Sequence, residues 1–256
     1  MEKLNVLRLI FKQPTAHYRV GFTQMHIHRT LPLPPPSTII GFIHRVMECK
    51  EGDVIRGFDI AVCGSYDSIF YHYQTFRDTG KIKDPAYKEA SHYGMMPNQV
   101  QLLNNVYLRI YICFDDFDKD APQFLEKLNN PSLPFYLGRR EDMVIPEDIT
   151  VKPASLEKND FPQSINYNYW ISQQTVQQYG INGAVYLLGT YYHVEEKIRN
   201  FERKRFYYIE PQPLNPIKVD NKYKDPVGWI DTCTINDKTV DIPVFFLGIN
   251  EPEQSK

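Results

Sequence analysis

Five residues constrain this chain more than any others: Pro32-Leu33-Pro34-Pro35-Pro36. Four prolines lack a backbone N–H and hold φ near about −65°, so the run cannot be helical and reads as extended. The next residues have the opposite character. From Ser37, a fitting N-cap, to about Cys49, the residues Ile39, Ile43, Val46 and Met47 recur at helical spacing. His44, Arg45 and Glu48 fall off that stripe. An extended lead therefore feeds an amphipathic helix. Gly41 inside that helix costs about 1 kcal/mol relative to Ala, which points to a close backbone approach there.

Strands flank this unit. Residues 4–12 alternate, with Leu7, Leu9 and Phe11 on one face and Val6, Arg8, Ile10 and Lys12 on the other. Residues 13–33 have no clear period and read as a loop or irregular hairpin. Residues 57–66 and 68–77 read as two strands joined near Asp67. Asp78 to Gln101 is polar and irregular, too long for a routine connection, and reads as an arm or functional loop. Residues 105–114 alternate most clearly: Val106, Leu108, Ile110, Ile112 and Phe114 against Tyr107, Arg109, Tyr111 and Cys113. A short helix comes next over Asp118–Asn130, with Phe124, Leu125 and Leu128 inward.

The order strand, helix, two strands, arm, strand, helix fits a ferredoxin-like (RRM-like) unit in an α+β protein. Its last strand would be displaced or supplied by Leu133–Leu137. The boundaries predicted are 1–130 for this domain and 131–256 for a smaller β-rich C-terminal domain. Within the latter, Ala184–Ile209 reads as a hairpin with Lys197, Arg199, Arg203, Lys204 and Arg205 near its tip. The stretch from Phe161 to Val194 contains no Lys, Arg, Asp or Glu. Charged residues are depleted at interface cores, so this stretch suits a protein-facing surface; a Gln-rich disordered loop is the rival reading.

Charge brings in composition. The net charge is −2, yet residues 1–45 hold Lys3, Arg8, Lys12, Arg19, Arg29 and Arg45 against Glu2 alone. His17, His26, His28 and His44 lie in the same span. A basic first segment on a near-neutral chain is a candidate polyanion face, or a scattered solvated surface. If strands 4–12 and 105–114 are neighbours, Arg8, Lys12, Tyr107, Arg109 and Tyr111 share a sheet face. Basic and aromatic groups on an open sheet hold single-stranded RNA. The alternative is that the second domain covers that face.

Other chemistry is excluded or weak. There is no phosphate-loop pattern, nucleophile elbow or His-Glu-x-x-His motif. His26 and His28 lack a companion carboxylate or thiolate, so no metal site and no cofactor are expected. Cys49, Cys63, Cys113 and Cys233 have no metal-clip or redox spacing and read as reduced thiols. No run of about 18 apolar residues exists, so no membrane partner is expected. The N-terminus lacks the order of a secretory signal, and a cytoplasmic protein is expected. General acid–base cleavage of RNA needs only a base and an acid, which His17, Tyr18, His26, His28 and His92 could supply. Two classes stay open on these grounds: an RNA-binding scaffold subunit and an RNA-processing enzyme.

Two motifs narrow the choice. The run from Leu31 through the prolines and Ser37-Thr38-Ile-Ile-Gly-Phe-Ile-His44 resembles the proline-to-first-helix signature of the CRISPR-associated Cas-five family. Phe135-Tyr-Leu-Gly-Arg139-Arg140-Glu141 resembles that family's second signature, at a fitting distance. The resemblance spans roughly 4–145 and is closest in tone to type I-B members. Asp142-Met143 departs from the Cys-Pro that some members carry at that point. The RAMP superfamily's glycine-rich loop is diluted to Gly180, Gly183 and Gly189, and no RNA contact is carried onto it.

The resemblance implies a subunit that caps the 5′ repeat-derived handle of the crRNA in the Cascade surveillance complex. It would contact the backbone subunit and the large subunit, with target DNA beside the protospacer-adjacent motif as a further candidate partner. A β-hairpin thumb would occupy about 77–101. The RNA-binding residues expected are Arg8, Lys12, His17, Arg19, His26, His28, Arg29, Ser37, Thr38, Arg45, Arg77, Lys81, Lys83, His92, Tyr93, Tyr107, Arg109, Arg139 and Arg140. Free N–H groups at the helix start could meet a phosphate. Only the type I-C branch cleaves precursor RNA, so no catalytic residue is expected. A metal-independent endoribonuclease of that kind is the alternative.

Overall fold

The structure, a computed structural model, describes every residue except 1, 22, 24–26, 51, 78–94, 133, 145–148, 197, 216, 220–221, 236 and 251–256. The first half runs β1 (Lys3–Ala16), β2 (Ile27–His28), α1 (Pro36–Val46), β3 (Phe58–Ser65), β4 (Ser68–Arg77), β5 (Met95–Phe114) and α2 (Phe117–Asn129). The second half runs β6 (Ile149–Asp160), β7 (Ser164–Ile165), β8 (Asn168–Ser172), α3 (Gln173–Tyr179), β9 (Ala184–Glu195) and β10 (Ile198–Ile209). It ends with β11 (Gln212–Pro213), β12 (Ile217–Val219), β13 (Lys222–Lys224), β14 (Val227–Ile235) and β15 (Lys238–Val244).

Among the described residues, an eleven-stranded sheet follows the path β15-β14-β6-β1-β5-β3-β8-β10-β9, with β2 and β4 also paired to β5. β1 is central and antiparallel to both neighbours; Leu9 lies opposite Ile110 on one side and Val151 on the other. The sheet continues across residues 130 and 131, because β6 pairs with β1 and β8 with β3.

Period-two alternation gives the sheet two buried faces. Leu7, Leu9, Phe11, Val106, Leu108, Ile110 and Ile112 pack under Ile39, Phe42 and Ile43 of α1 and Phe124 and Leu128 of α2. Each such side chain contributes about 1.5–3 kcal/mol when fully buried. The opposite face carries Val6, Ala61, Cys63, Tyr111, Tyr169, Ile171 and Ile209, covered by Phe161, Ile165, Leu214 and Phe245. Phe161, Ile165, Tyr169 and Ile171 of the charge-free stretch are therefore buried within the chain itself.

Three local expectations need correction. The helix begins at Pro36, with its N-cap at Pro35, two residues before Ser37, extended and without a side-chain cap. Proline suits the first helical position, where an N–H would be unsatisfied anyway. Gly41 is exposed and a Cβ there would meet open space, so no close approach explains it. The strand beyond β1 is Ile149–Asp160; in the Leu133–Leu137 region the described residues form only an isolated bridge, Tyr136 to Met143.

The proline run is buried as well as stiff. Leu31 and Leu33 are core residues, and Trp170 Nε1 donates to the Pro34 carbonyl at 3.1 Å. Tyr186 and Tyr208 stand edge-on to the Trp170 indole. Thus β8, from the second half, clamps the entry to α1.

Candidate nucleic-acid interface

The end of β1 is the meeting point of both signature motifs. Gln13 Nε2 donates to the Leu137 carbonyl at 3.0 Å, and the Tyr18 hydroxyl donates to Gln13 Oε1 at 2.8 Å. Phe42 of α1 touches Phe11 and Phe135 edge-on. Arg45 lies over the Tyr136 ring at 5.9 Å.

Asp142 fixes the turn that carries Arg139 and Arg140. Its buried carboxylate accepts from the backbone N–H groups of His17 and Arg139 and from Nε and Nη2 of the Arg139 side chain. Gly138 makes the turn possible. Its φ is +112°, and a Cβ would come within 3.0 Å of both Asp142 Oδ2 and the His17 carbonyl. Arg140 stays exposed.

Two histidines, His17 and His28, meet at the same end. His17 is buried, and its Nδ1 contacts the Gln101 carbonyl at 2.7 Å. Burial holds its pKa below the ordinary value; the Gln101 hydrogen bond opposes that, and the Arg139 and His28 charges add to it. His28 is lowered by burial and by the Arg19 charge. Arg19 pairs as a bridge with Thr30, and Arg19 and Arg29 are both exposed. His17 and Thr30 contact Gln101 of β5 and His28 pairs with Val100, so His17, Arg19, His28 and Arg139 lie together beside the β4–β5 arm, with Arg29 and Arg140 next to them in sequence. That arm pairs from Ser68 opposite Asn104 to Arg77 opposite Met95. On it, Tyr71 and Tyr73 are 56% and 66% exposed.

Of the two readings of this sheet face, the described residues show the covered one over most of its length. Arg109 is 3% exposed; its Nη1 lies 3.8 Å from Asp231 Oδ2, and its guanidinium lies over the Tyr107 ring at 5.6 Å. Arg8 Nη1 donates to both Asp231 carboxylate oxygens at 2.8 and 2.9 Å, and the Tyr111 hydroxyl donates to the same group. Tyr107 stacks on Tyr167. Arg8, Tyr107 and Arg109 therefore serve the contact between the two halves of the chain, because Asp231 and Tyr167 cover them. Lys12, on the same face, is exposed.

Ser37 and Thr38 are partly buried at a helix start already occupied by structure. The Thr38 N–H donates to the Pro35 carbonyl, and Pro36 has no N–H to offer a phosphate. Arg77 closes β4, and its side chain falls outside the description. His26, Lys81, Lys83, His92 and Tyr93 lie outside the described residues. So does the far end of the arm that the resemblance assigns to a thumb.

The model of the CRISPR-associated protein (Cas_Cas5) family matches residues 6–208. The chain belongs to that family. The match takes in both signature motifs and runs past residue 145 through the β9–β10 hairpin. No curated protein matches the sequence. A solved chain described as a CRISPR RNA-guided surveillance complex superposes with a TM-score of 0.57 at 13% identity, over 81% of this chain and 90% of that one. A solved Cas protein gives 0.44 at 13% identity over 82% and 94%. A CRISPR protein from Archaeoglobus fulgidus gives 0.36 at 13% identity over 93% and 98%. The first of these is a likeness of fold.

Sequence reasoning missed Asp142, Gln101, Tyr71 and Trp170. Asp142 had a signal, since it directly follows the second motif, where it reads as a departure from the family pattern. Gln101 and Tyr71, joined by a 2.9 Å hydrogen bond, have none, because the strand pairing that joins them is not written in either segment.

Proposed function

We propose that this chain is a crRNA-binding subunit of a type I Cascade complex, closest to the I-B kind, that caps the 5′ handle and does not cleave RNA. The observation that carries the reading is that His17, Arg19, His28 and Arg139 lie together beside the β4–β5 arm, with exposed Arg29 and Arg140 adjoining His28 and Arg139 in sequence. Cations at that density neutralise phosphates, and exposed aromatics such as Tyr71 and Tyr73 stack unpaired bases. The strand order β6-β1-β5-β3, antiparallel throughout, with α1 and α2 as the two crossovers, supports a ferredoxin-like core. The β4–β5 arm supports the thumb assignment. Backbone and large subunits are the protein partners, and target DNA beside the protospacer-adjacent motif would be met through the assembled complex.

Binding without catalysis fits the state of His17. Its ring is buried and held by the Gln101 carbonyl, which suits a positioning role better than proton transfer. The test uses purified chain with two RNAs, one bearing the repeat-derived 5′ handle and one with the handle scrambled, without metal. Tighter binding of the handle RNA, left intact, is expected. Equal binding of both RNAs would remove the capping role. Site-specific cleavage abolished by His17→Ala would replace it with the endoribonuclease.

A further inference from the structure

Among the described residues, the sheet ends on an unguarded strand. β9 is the terminal strand of the path, paired along one side with β10. Proteins normally blunt such edges with Lys, Pro, bulges or very short strands, because a free row of N–H and C=O groups invites another strand. From Ala184 to Val194 there is no Lys, Arg, Asp, Glu or Pro. The one irregularity is a register shift between Phe201 and Arg203 of the partner strand.

The two faces of this hairpin differ. Leu188, Tyr191, Phe206 and Tyr208 point to the core. Both acids of its strands turn to that side: Glu202 pairs with Arg56, which lies over the Tyr191 ring, and Glu195 accepts from Asn200. The outward face carries Val185 and Leu187, 57% and 58% exposed, then Val194 and Phe201, also exposed. Phe201 lies over Gly189, where a Cβ would meet its ring at 2.9 Å, so the glycine makes room for an aromatic on the outside. Arg199 sits over the Tyr192 ring at 4.8 Å, and Arg203 is exposed opposite Gly189. Arginine and aromatics beside aliphatic side chains are the composition of a protein interface core. A phosphate backbone would gain nothing from Val185, Leu187 or Val194.

We infer that the outer face and free edge of the β9–β10 hairpin receive an extended segment of a partner protein, which adds as a strand and presents carboxylates with apolar side chains. Main-chain bonds to β9 would supply affinity, and Arg199 and Arg203 would select acidic segments over basic ones. The inference stands apart from the RNA reading, since none of these residues belongs to the interface around His17.

The test measures amide hydrogen exchange in the full chain with two synthetic ten-residue peptides, one alternating Val and Glu, the other Val and Lys. At a concentration of about twice the dissociation constant, two-thirds of the sites fill and exchange slows about threefold. Such slowing is expected across 184–194 with the Val/Glu peptide and not with the Val/Lys peptide. The double variant Arg199→Glu, Arg203→Glu should reverse the preference while its circular dichroism stays unchanged. Slowing by neither peptide, or by both equally in the parent chain, would overturn the inference. So would protection that grows with chain concentration in the absence of peptide, which would make the occupant a second copy. Equal protection by a single-stranded RNA of ten nucleotides would make it a nucleic-acid surface instead.

Discussion

Asp142 Oδ2 accepts the backbone N–H of His17 at 3.1 Å, so the turn of the second signature motif is tied to the end of β1 by one carboxylate. The same carboxylate holds the Arg139 guanidinium and the Arg139 N–H. Removing it leaves several donors without an acceptor in a mostly buried place. Asp142→Ala should therefore cost about 3 kcal/mol, read from the midpoint of urea unfolding at unchanged slope. A cost near zero would mean that water replaces the carboxylate and that the turn stands without it.

The buried cluster around Asp231 leads to a ranking. One carboxylate there faces two guanidinium groups, Arg8 and Arg109. Asp231→Ala strands both cations in a low-dielectric site, an effect of about 3–5 kcal/mol. Arg109→Met instead removes a group whose Nε and Nη1 find no hydrogen-bond partner among the described residues, and keeps the Arg8 pair. It should be much the milder change. Equal losses in the two variants would show that Arg109, rather than Arg8, is the cation that Asp231 stabilises.

The range of the forces involved decided how much of this was legible. The alternation over 105–114 sorts every residue to its observed face, since period-two patterning is local. The entry into α1 was clear from the prolines, and the β9–β10 hairpin from its own sequence. Arg8 and Arg109 read as solvent-facing because a cation on a strand usually is. Their burial depends on Asp231, far along the chain, and no local pattern announces that pairing. β6 was missed because 149–160 is mostly polar and contains Pro153. β14 pairs only with residues 157–160 of it, so Pro153 has one strand neighbour and is tolerated. The candidate RNA-binding residues divided in the same way: charge pointed to Arg19 and Arg29 and the second motif to Arg140, whereas the contacts of His17 and Thr30 with Gln101 required the fold.

Acid should loosen the link between α1 and the segment after it. His44 Nδ1 donates to the Ile40 carbonyl at 2.8 Å, and its Nε2 accepts from the Ile55 N–H at 2.9 Å. That arrangement needs a neutral ring, because a proton on Nε2 would face the Ile55 N–H. Burial accordingly holds the His44 pKa below 6.5, against the pull of the Ile40 carbonyl. Below about 6.5 the unfolded chain binds a proton that the folded chain resists. The contribution is thus complete above that pH and is lost as pH falls through the lowered folded value. His17 is shifted in the same direction and adds to the loss. Unfolding free energies measured downward from about pH 8 should decline through this window, and more gently in His44→Gln. An identical decline in that variant would assign the whole effect to other groups.

Salt dependence separates the cations that face solvent from those the fold consumes. Each phosphate contact to single-stranded nucleic acid contributes about 0.7 to the slope of log affinity against log salt. Arg19→Ala, Arg29→Ala and Arg140→Ala should each weaken binding of handle RNA and flatten that slope by about this amount. Their side chains are exposed, so the substitutions remove charge without opening the core. Arg109→Met serves as the internal control, because a guanidinium enclosed by Tyr107, Tyr167 and Asp231 releases no counterion when RNA binds. An unchanged slope in the three exposed variants would move the RNA away from the end of β1. A flattened slope in Arg109→Met would mean that the second half lifts off the sheet to admit the strand.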